Sequence, residues 1–145
     1  MTAIAGLAFV RALPEVDSRR VAVAGHSLGG SLALFLAARD TALRAVVDFS
    51  GSAYSWRLSP ELRARLIAAA GRTTAPVFFI HAANDYSVTP GMALAAEMQR
   101  LGKLHRLKIY PAVGRTAKEG HGFVFGGVAT WEPDVFAFLD EHLGR

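Results

Sequence analysis

The sequence contains no cysteine. That excludes a disulfide frame, a thiolate metal site and a cysteine nucleophile, and it leaves the redox compartment unreadable. Charge is also scarce, at 19% of residues against 52% for the AVILMFWYC set. Such a balance excludes a disordered tail or a solvated linker. No stretch approaches the roughly eighteen uncharged apolar residues of a membrane span. The apolar opening from Met1 to Val10 lacks a basic leader and runs into Arg11, so it fits neither a signal peptide nor a span. A cytoplasmic protein is the expectation. Long basic runs are lacking too. Lys and Arg number 16 against 12 Asp and Glu, but the longest cluster is Arg19-Arg20 and no aromatics alternate with the basic residues. That pattern reads as an ordinary solvated surface, with no nucleic acid or membrane partner.

What is present suits one folded domain over 1–145. A chain of this length buries roughly 70% of its unfolded surface. Helical spacing runs from about Ala3 to Leu13 and stops at Pro14. Strands are predicted at Arg20 to Gly25, Ala45 to Phe49, Pro76 to His81 and Arg106 to Tyr110. Helices are predicted from Leu28 to Ala38, from Pro60 to Ala70, from Pro90 to Gly102 and from Pro133 to Leu143, the last with Val135, Phe136 and Leu139 on its apolar face. A long glycine-rich loop fills the space before Pro133. Strand and helix alternate without hairpin signals, which implies right-handed crossovers, about four parallel strands and helices on both faces. The predicted class is therefore α/β, a three-layer sandwich.

The sharpest local feature is Gly25-His26-Ser27-Leu28-Gly29-Gly30, placed between a predicted strand and a predicted helix. A serine at the tip of so tight a turn has strained backbone angles and needs small neighbours. Its hydroxyl then projects above the carboxyl edge of the sheet. The Leu28 amide lies at a helix N-terminus, where it can donate to a developing oxyanion. A capping serine beside turn glycines is the plainer reading. A serine nucleophile needs a base, and the base needs an orienting carboxylate, in the chain order serine, acid, histidine on this kind of scaffold. Asp85 is the only carboxylate in the loop after the third strand; Asp48 lies inside a strand and Asp40 in a turn on the opposite edge. Of five histidines, His26 adjoins the serine and should point away from it, His81 ends a strand as a structural or pocket residue, His105 begins one at the wrong edge, and His142 is on the terminal helix. His121 alone follows Asp85 in a loop after a strand.

These three segments, with Ile80-His81-Ala82-Ala83-Asn84-Asp85-Tyr86-Ser87-Val88-Thr89-Pro90 and Gly120-His121-Gly122-Phe123 as the second and third, resemble the α/β-hydrolase superfamily. Within it the sequence is most similar to the dienelactone hydrolase-like branch. Leu13-Pro14-Glu15-Val16-Asp17-Ser18-Arg19-Arg20-Val21 and Tyr110-Pro111 also look typical of that branch. The resemblance implies Ser27 as nucleophile, Asp85 as acid and His121 as base, with no metal or cofactor. Archetypal dienelactone hydrolases carry a cysteine nucleophile; Ser27 in its place favours simple ester hydrolysis. The family's sheet usually has about eight strands, so the chain resembles a truncated α/β-hydrolase fold, its C-terminal half. The second oxyanion donor belongs to the other half, and losing one donor costs roughly 10² to 10³ in rate.

The elbow strand, Arg20 to Ala24, is then an open, apolar sheet edge, and a homodimer covering it is expected. A longer parental chain is the competing explanation. Tyr54, Trp56 and Tyr86 are candidates for shaping the substrate site, and loop packing is the plainer role for each. The leading expectation is a serine carboxylesterase for small, short-chain esters. The alternatives are a peptidase of the prolyl oligopeptidase type and an impaired hydrolase fragment acting as a dimerising module.

Overall fold

A computed structural model describes residues 2–144. Helix α1 (Ala3–Arg11) leads into β1 (Ala22–His26), α2 (Leu28–Ala37), β2 (Ala45–Phe49), α3 (Pro60–Arg72), β3 (Val77–Ala82), α4 (Thr89–Arg100) and β4 (His105–Tyr110). Three further helices follow: α5 (Ala117–His121), α6 (Phe123–Gly126) and α7 (Val128–Leu143). The four strands form one parallel sheet in the order β1-β2-β3-β4. Each right-handed crossover steps the same way across the sheet, so α2, α3 and α4 share one face. The chain then returns over the other face through α6 and α7. Val46, Val77 and Phe79 point to the first helical layer and meet Leu34, Leu66, Leu94 and Met98. Val47, Phe78 and Ile80 point the other way and meet Phe123, Val135 and Phe138. Covering both faces is why β2 and β3 read as largely apolar runs rather than alternating ones, interrupted only by Asp48 and His81 near their ends.

Local chemistry sets several boundaries. The Ser59 hydroxyl accepts the Leu62 N–H at 3.1 Å and Pro60 opens α3, the expected N-terminal pairing. Strand β1 starts at Ala22, later than expected, because the Arg20 N–H closes a turn onto the Asp17 carbonyl at 2.9 Å; the Arg20 guanidinium donates to the carbonyls of Leu143 and Gly144 after α7. The glycine-rich loop is not open loop throughout. The Thr116 hydroxyl accepts the Glu119 N–H at 3.2 Å, and the Glu119 carboxylate accepts the Thr116 N–H at 2.9 Å. This capping box starts α5. Helix α7 begins at Val128, ahead of Pro133, which sits in its interior. Trp131 anchors that extra turn, donating its indole N–H to the Val124 carbonyl at 3.1 Å and packing edge-on against Phe49. The inward face of α7 is Val135, Phe138 and Leu139, while Phe136 is 55% exposed. Phe136 lies about 100° round the helix from Val135, which takes it off the core stripe.

In the described chain β1 is an edge strand, paired only with β2. No helix among the described residues is long and apolar enough to cross a membrane.

Candidate active site

The site is built where the strands end. Strand β1 turns into α2 at Ser27, whose φ of 56° and ψ of −116° are unusual for a residue with a side chain. Such a backbone costs on the order of 1–3 kcal/mol and persists only where its surroundings hold it. Here the Ser27 N–H donates to the Phe49 carbonyl at 2.9 Å, tying the turn to the end of β2. Gly25 is required by close approach: a Cβ there would lie 2.1 Å from the Gly29 carbonyl oxygen. Gly29 itself faces open space, so the expected need for a small residue on that side of Ser27 does not arise. Leu28 is 71% exposed and opens α2, where a backbone N–H has no partner within the helix.

The turn brings Ser27 to a histidine from the far end of the chain. Ser27 Oγ lies 2.9 Å from His121 Nε2, and His121 Nδ1 lies 2.8 Å from Asp85 Oδ1. Asp85 belongs to the loop after β3 and its carboxylate is buried. Burial pushes its carboxyl up, but hydrogen bonds from His81, Ser50 and His121 outweigh it and hold the group below the ordinary carboxylate range. The carboxylate is therefore ionised at neutral pH and accepts only. His121 Nδ1 must carry the proton, which leaves Nε2 free to accept from the Ser27 hydroxyl.

Several residues outside the expected set hold this arrangement. Asn84 clamps the loop ahead of α5: its amide donates to the carbonyls of Val113 and Thr116 at 2.7 and 2.9 Å, and its oxygen accepts the Val113 N–H at 2.9 Å. Gly120 packs on the same residue, since a Cβ there would come within 2.5 Å of the Asn84 carbonyl. His26 donates from Nε2 to the His121 carbonyl at 2.8 Å, and the two rings lie 4.8 Å apart. His81 Nδ1 lies 2.9 Å from Asp85 Oδ2. The pattern Thr116-x-x-Glu119 was the available signal for α5, and Asn84 beside an acid in a loop was the signal for a clamp.

The expected aromatic wall divides. Tyr86 packs on His121 with ring centroids 5.0 Å apart, and Tyr54 packs edge-on against Tyr86 at 5.4 Å. Both are exposed, at 42% and 66%. Phe125, 75% exposed, packs against His26 on the other side. Trp56 is the correction. It is 4% exposed within the core under α2, α3 and α4, with the Arg63 guanidinium over its ring, so it forms no exposed wall. Among the described residues no cluster of three His, Asp or Glu side chains is arranged to hold a metal ion.

Comparisons with known proteins bear on the family and on the fold. The model of the "Dienelactone hydrolase family" matches residues 2–127. No curated protein matches the sequence. Among solved structures, the fold is similar to an esterase from Pyrococcus furiosus, at 17% identity and a TM-score of 0.75, covering 97% of this chain and 60% of that one. It is also similar to the uncomplexed acylaminoacyl peptidase of Pyrococcus horikoshii, at 19% and 0.74, covering 95% and 26%. An acetyl xylan esterase from Paenibacillus sp. R4 gives 20% and 0.65, covering 96% and 50%. At these identities the likeness is one of fold. The chain spans between about a quarter and three-fifths of the length of those structures.

Proposed function

The chain belongs to the dienelactone hydrolase family, and from that premise we propose that it is a serine carboxylesterase acting on small, short-chain esters. The observation that carries the reading is the continuous hydrogen-bond chain from Ser27 through His121 to Asp85 on a strained strand-to-helix turn. In the proposed mechanism Ser27 Oγ attacks the ester carbonyl as His121 Nε2 takes its proton. Asp85 keeps the imidazole in the reactive tautomer and stabilises its charged form. The Leu28 N–H binds the developing oxyanion. The protonated imidazole then hands its proton to the departing alcohol, leaving an acyl-Ser27 ester. Water, deprotonated by His121, attacks that ester and releases a carboxylic acid. No metal or cofactor enters any step.

Aromatic side chains form the rim around the histidine. The His121 side chain is 15% exposed between Tyr86 and the His26–Phe125 pair. In the proposed reading short acyl groups pack against this aromatic rim, where Tyr86 stacks 5.0 Å from His121 and Tyr54 5.4 Å from Tyr86. The peptidase reading draws support from the acylaminoacyl peptidase neighbour, but at fold level alone. One assay separates the readings: turnover of p-nitrophenyl acetate and butyrate, and of an aminoacyl p-nitroanilide, by the wild type and Ser27→Ala. Ester turnover that drops by roughly 10³- to 10⁶-fold in the variant is expected. Equal rates for the two proteins would eliminate the mechanism, and cleavage of the anilide without the esters would replace esterase by peptidase.

A further inference from the structure

We infer that His81 is a positioning residue for the proposed hydrolysis: it donates its Nδ1–H to Asp85 Oδ2 and so fixes the carboxylate with Oδ1 turned to His121. The inference rests on the esterase reading above and deepens it. A carboxylate rotates about its last torsion with little preference of its own. In this site each oxygen has its own imidazole, and the Ser50 side chain bonds the carboxylate as well. Oδ2 receives His81 Nδ1 at 2.9 Å, while Oδ1 receives His121 Nδ1 at 2.8 Å and the Tyr86 N–H at 2.7 Å. The His81 and Asp85 side chains are 1% and 0% exposed, so no water stands in for the bond. The His81 ring is itself confined. It is the penultimate residue of β3 and lies against the first turn of α4, where a Cβ on Gly91 would come 2.7 Å from its Cδ2 and Nε2. An ionised carboxylate accepts only, so both imidazoles present Nδ1–H to it. Only His121 also reaches Ser27. Two histidines thus share one carboxylate with different tasks: one moves the proton and the other aims the acid.

The test uses two amides that differ in where they place their nitrogen. In His81→Asn the side-chain nitrogen overlays the Nδ1 position and keeps the donor; in His81→Gln it overlays Nε2 and does not. Both are polar and of similar bulk, and thermal unfolding checks that each folds. With p-nitrophenyl acetate, His81→Gln should lose about 10- to 100-fold in kcat at nearly unchanged KM, the scale seen when an outer hydrogen-bond partner of a site is removed. His81→Asn should recover most of that loss. The second readout is the low-field proton resonance of His121 Nδ1–H, expected in the wild type and in His81→Asn and lost in His81→Gln. Equal kcat for the two variants, or a His121 resonance that persists in His81→Gln, overturns the inference. Ser27→Ala in the same assay separates this from the parent reading: if its rate matches the wild type the esterase reading fails, whereas a dead Ser27→Ala beside a fully active His81→Gln sinks the His81 role alone.

Discussion

Asp48 offers the most quantitative check on how this core is built. It lies in β2, paired on either side with Gly25 and Phe79, and is 3% exposed. The Gly51 N–H donates to its carboxyl, yet Oδ1 has no partner. Burial pushes the carboxyl up from its ordinary 3.8 to about 6, against smaller downward pulls from His81 and Gly51. Because the folded value lies above the unfolded one, the native state binds the extra proton between them. The stabilising share of Asp48 is therefore full below pH 3.8 and lost as pH rises through about 6. The rise from 3.8 to about 6, at about 1.36 kcal/mol per tenfold change in proton affinity, makes the loss about 3 kcal/mol. Asp85, Asp40 and Asp134 have carboxyls held low, and their contributions run the other way, fading as pH falls. Those of Asp40 and Asp134 cancel in a comparison of the wild type with Asp48→Asn, while the Asp85 charge is itself one of the influences that raise the Asp48 carboxyl. Urea unfolding of both proteins from pH 4 to 8 should show the variant gaining on the wild type across pH 4 to 7 by up to about 3 kcal/mol, then holding level. A difference that stays flat with pH would refute the reasoning, since Asp48 would then ionise alike in both states.

Two further outcomes follow from the same structure. Asn84→Ala removes all three hydrogen bonds to the loop ahead of α5. It should lower kcat for p-nitrophenyl acetate by about 10-fold or more and cost about 1–3 kcal/mol in urea unfolding; wild-type kcat would show that the loop holds His121 unaided. The free edge of β1 is proposed to pair with a second copy, and light scattering should report a dimer. A stable monomer contradicts that pairing.

Much of the fold was legible because burial on both faces leaves a plain mark. Ala45 to Val47 and Val77 to Ile80 are apolar runs too short for helices, bounded by turns, and they lie in β2 and β3. Ser27, Asp85 and His121 could be paired from chain order and loop position, and the structure places them within hydrogen-bond reach. The misses share a cause, which is that they depend on three-dimensional register. Trp56 and Tyr54 follow the same strand two residues apart, and only packing shows that one enters the core and the other the rim. Phe136 and Phe138 are equally apolar, and the phase of α7 separates them. Asp48 reads as a polar residue inside a strand, and its proximity to the acid appears only once β2 and β3 are aligned, with the Ser50 N–H bonded to the Ile80 carbonyl; His81 reads as a structural or pocket residue, and its bond to Asp85, four residues on, depends on the turn that follows β3. Helix α5 is hidden in a glycine-rich stretch, and the Thr116–Glu119 capping box starts it despite the glycines.

The central claim is that Ser27 is a nucleophile activated by His121, and covalent labelling tests it without knowledge of the natural ester. An alkyl fluorophosphonate should modify the protein once, with mass spectrometry placing the adduct on Ser27. Labelling should be slowed at least about 10³-fold in His121→Ala. An unlabelled wild type, or an adduct on another residue, would contradict the account.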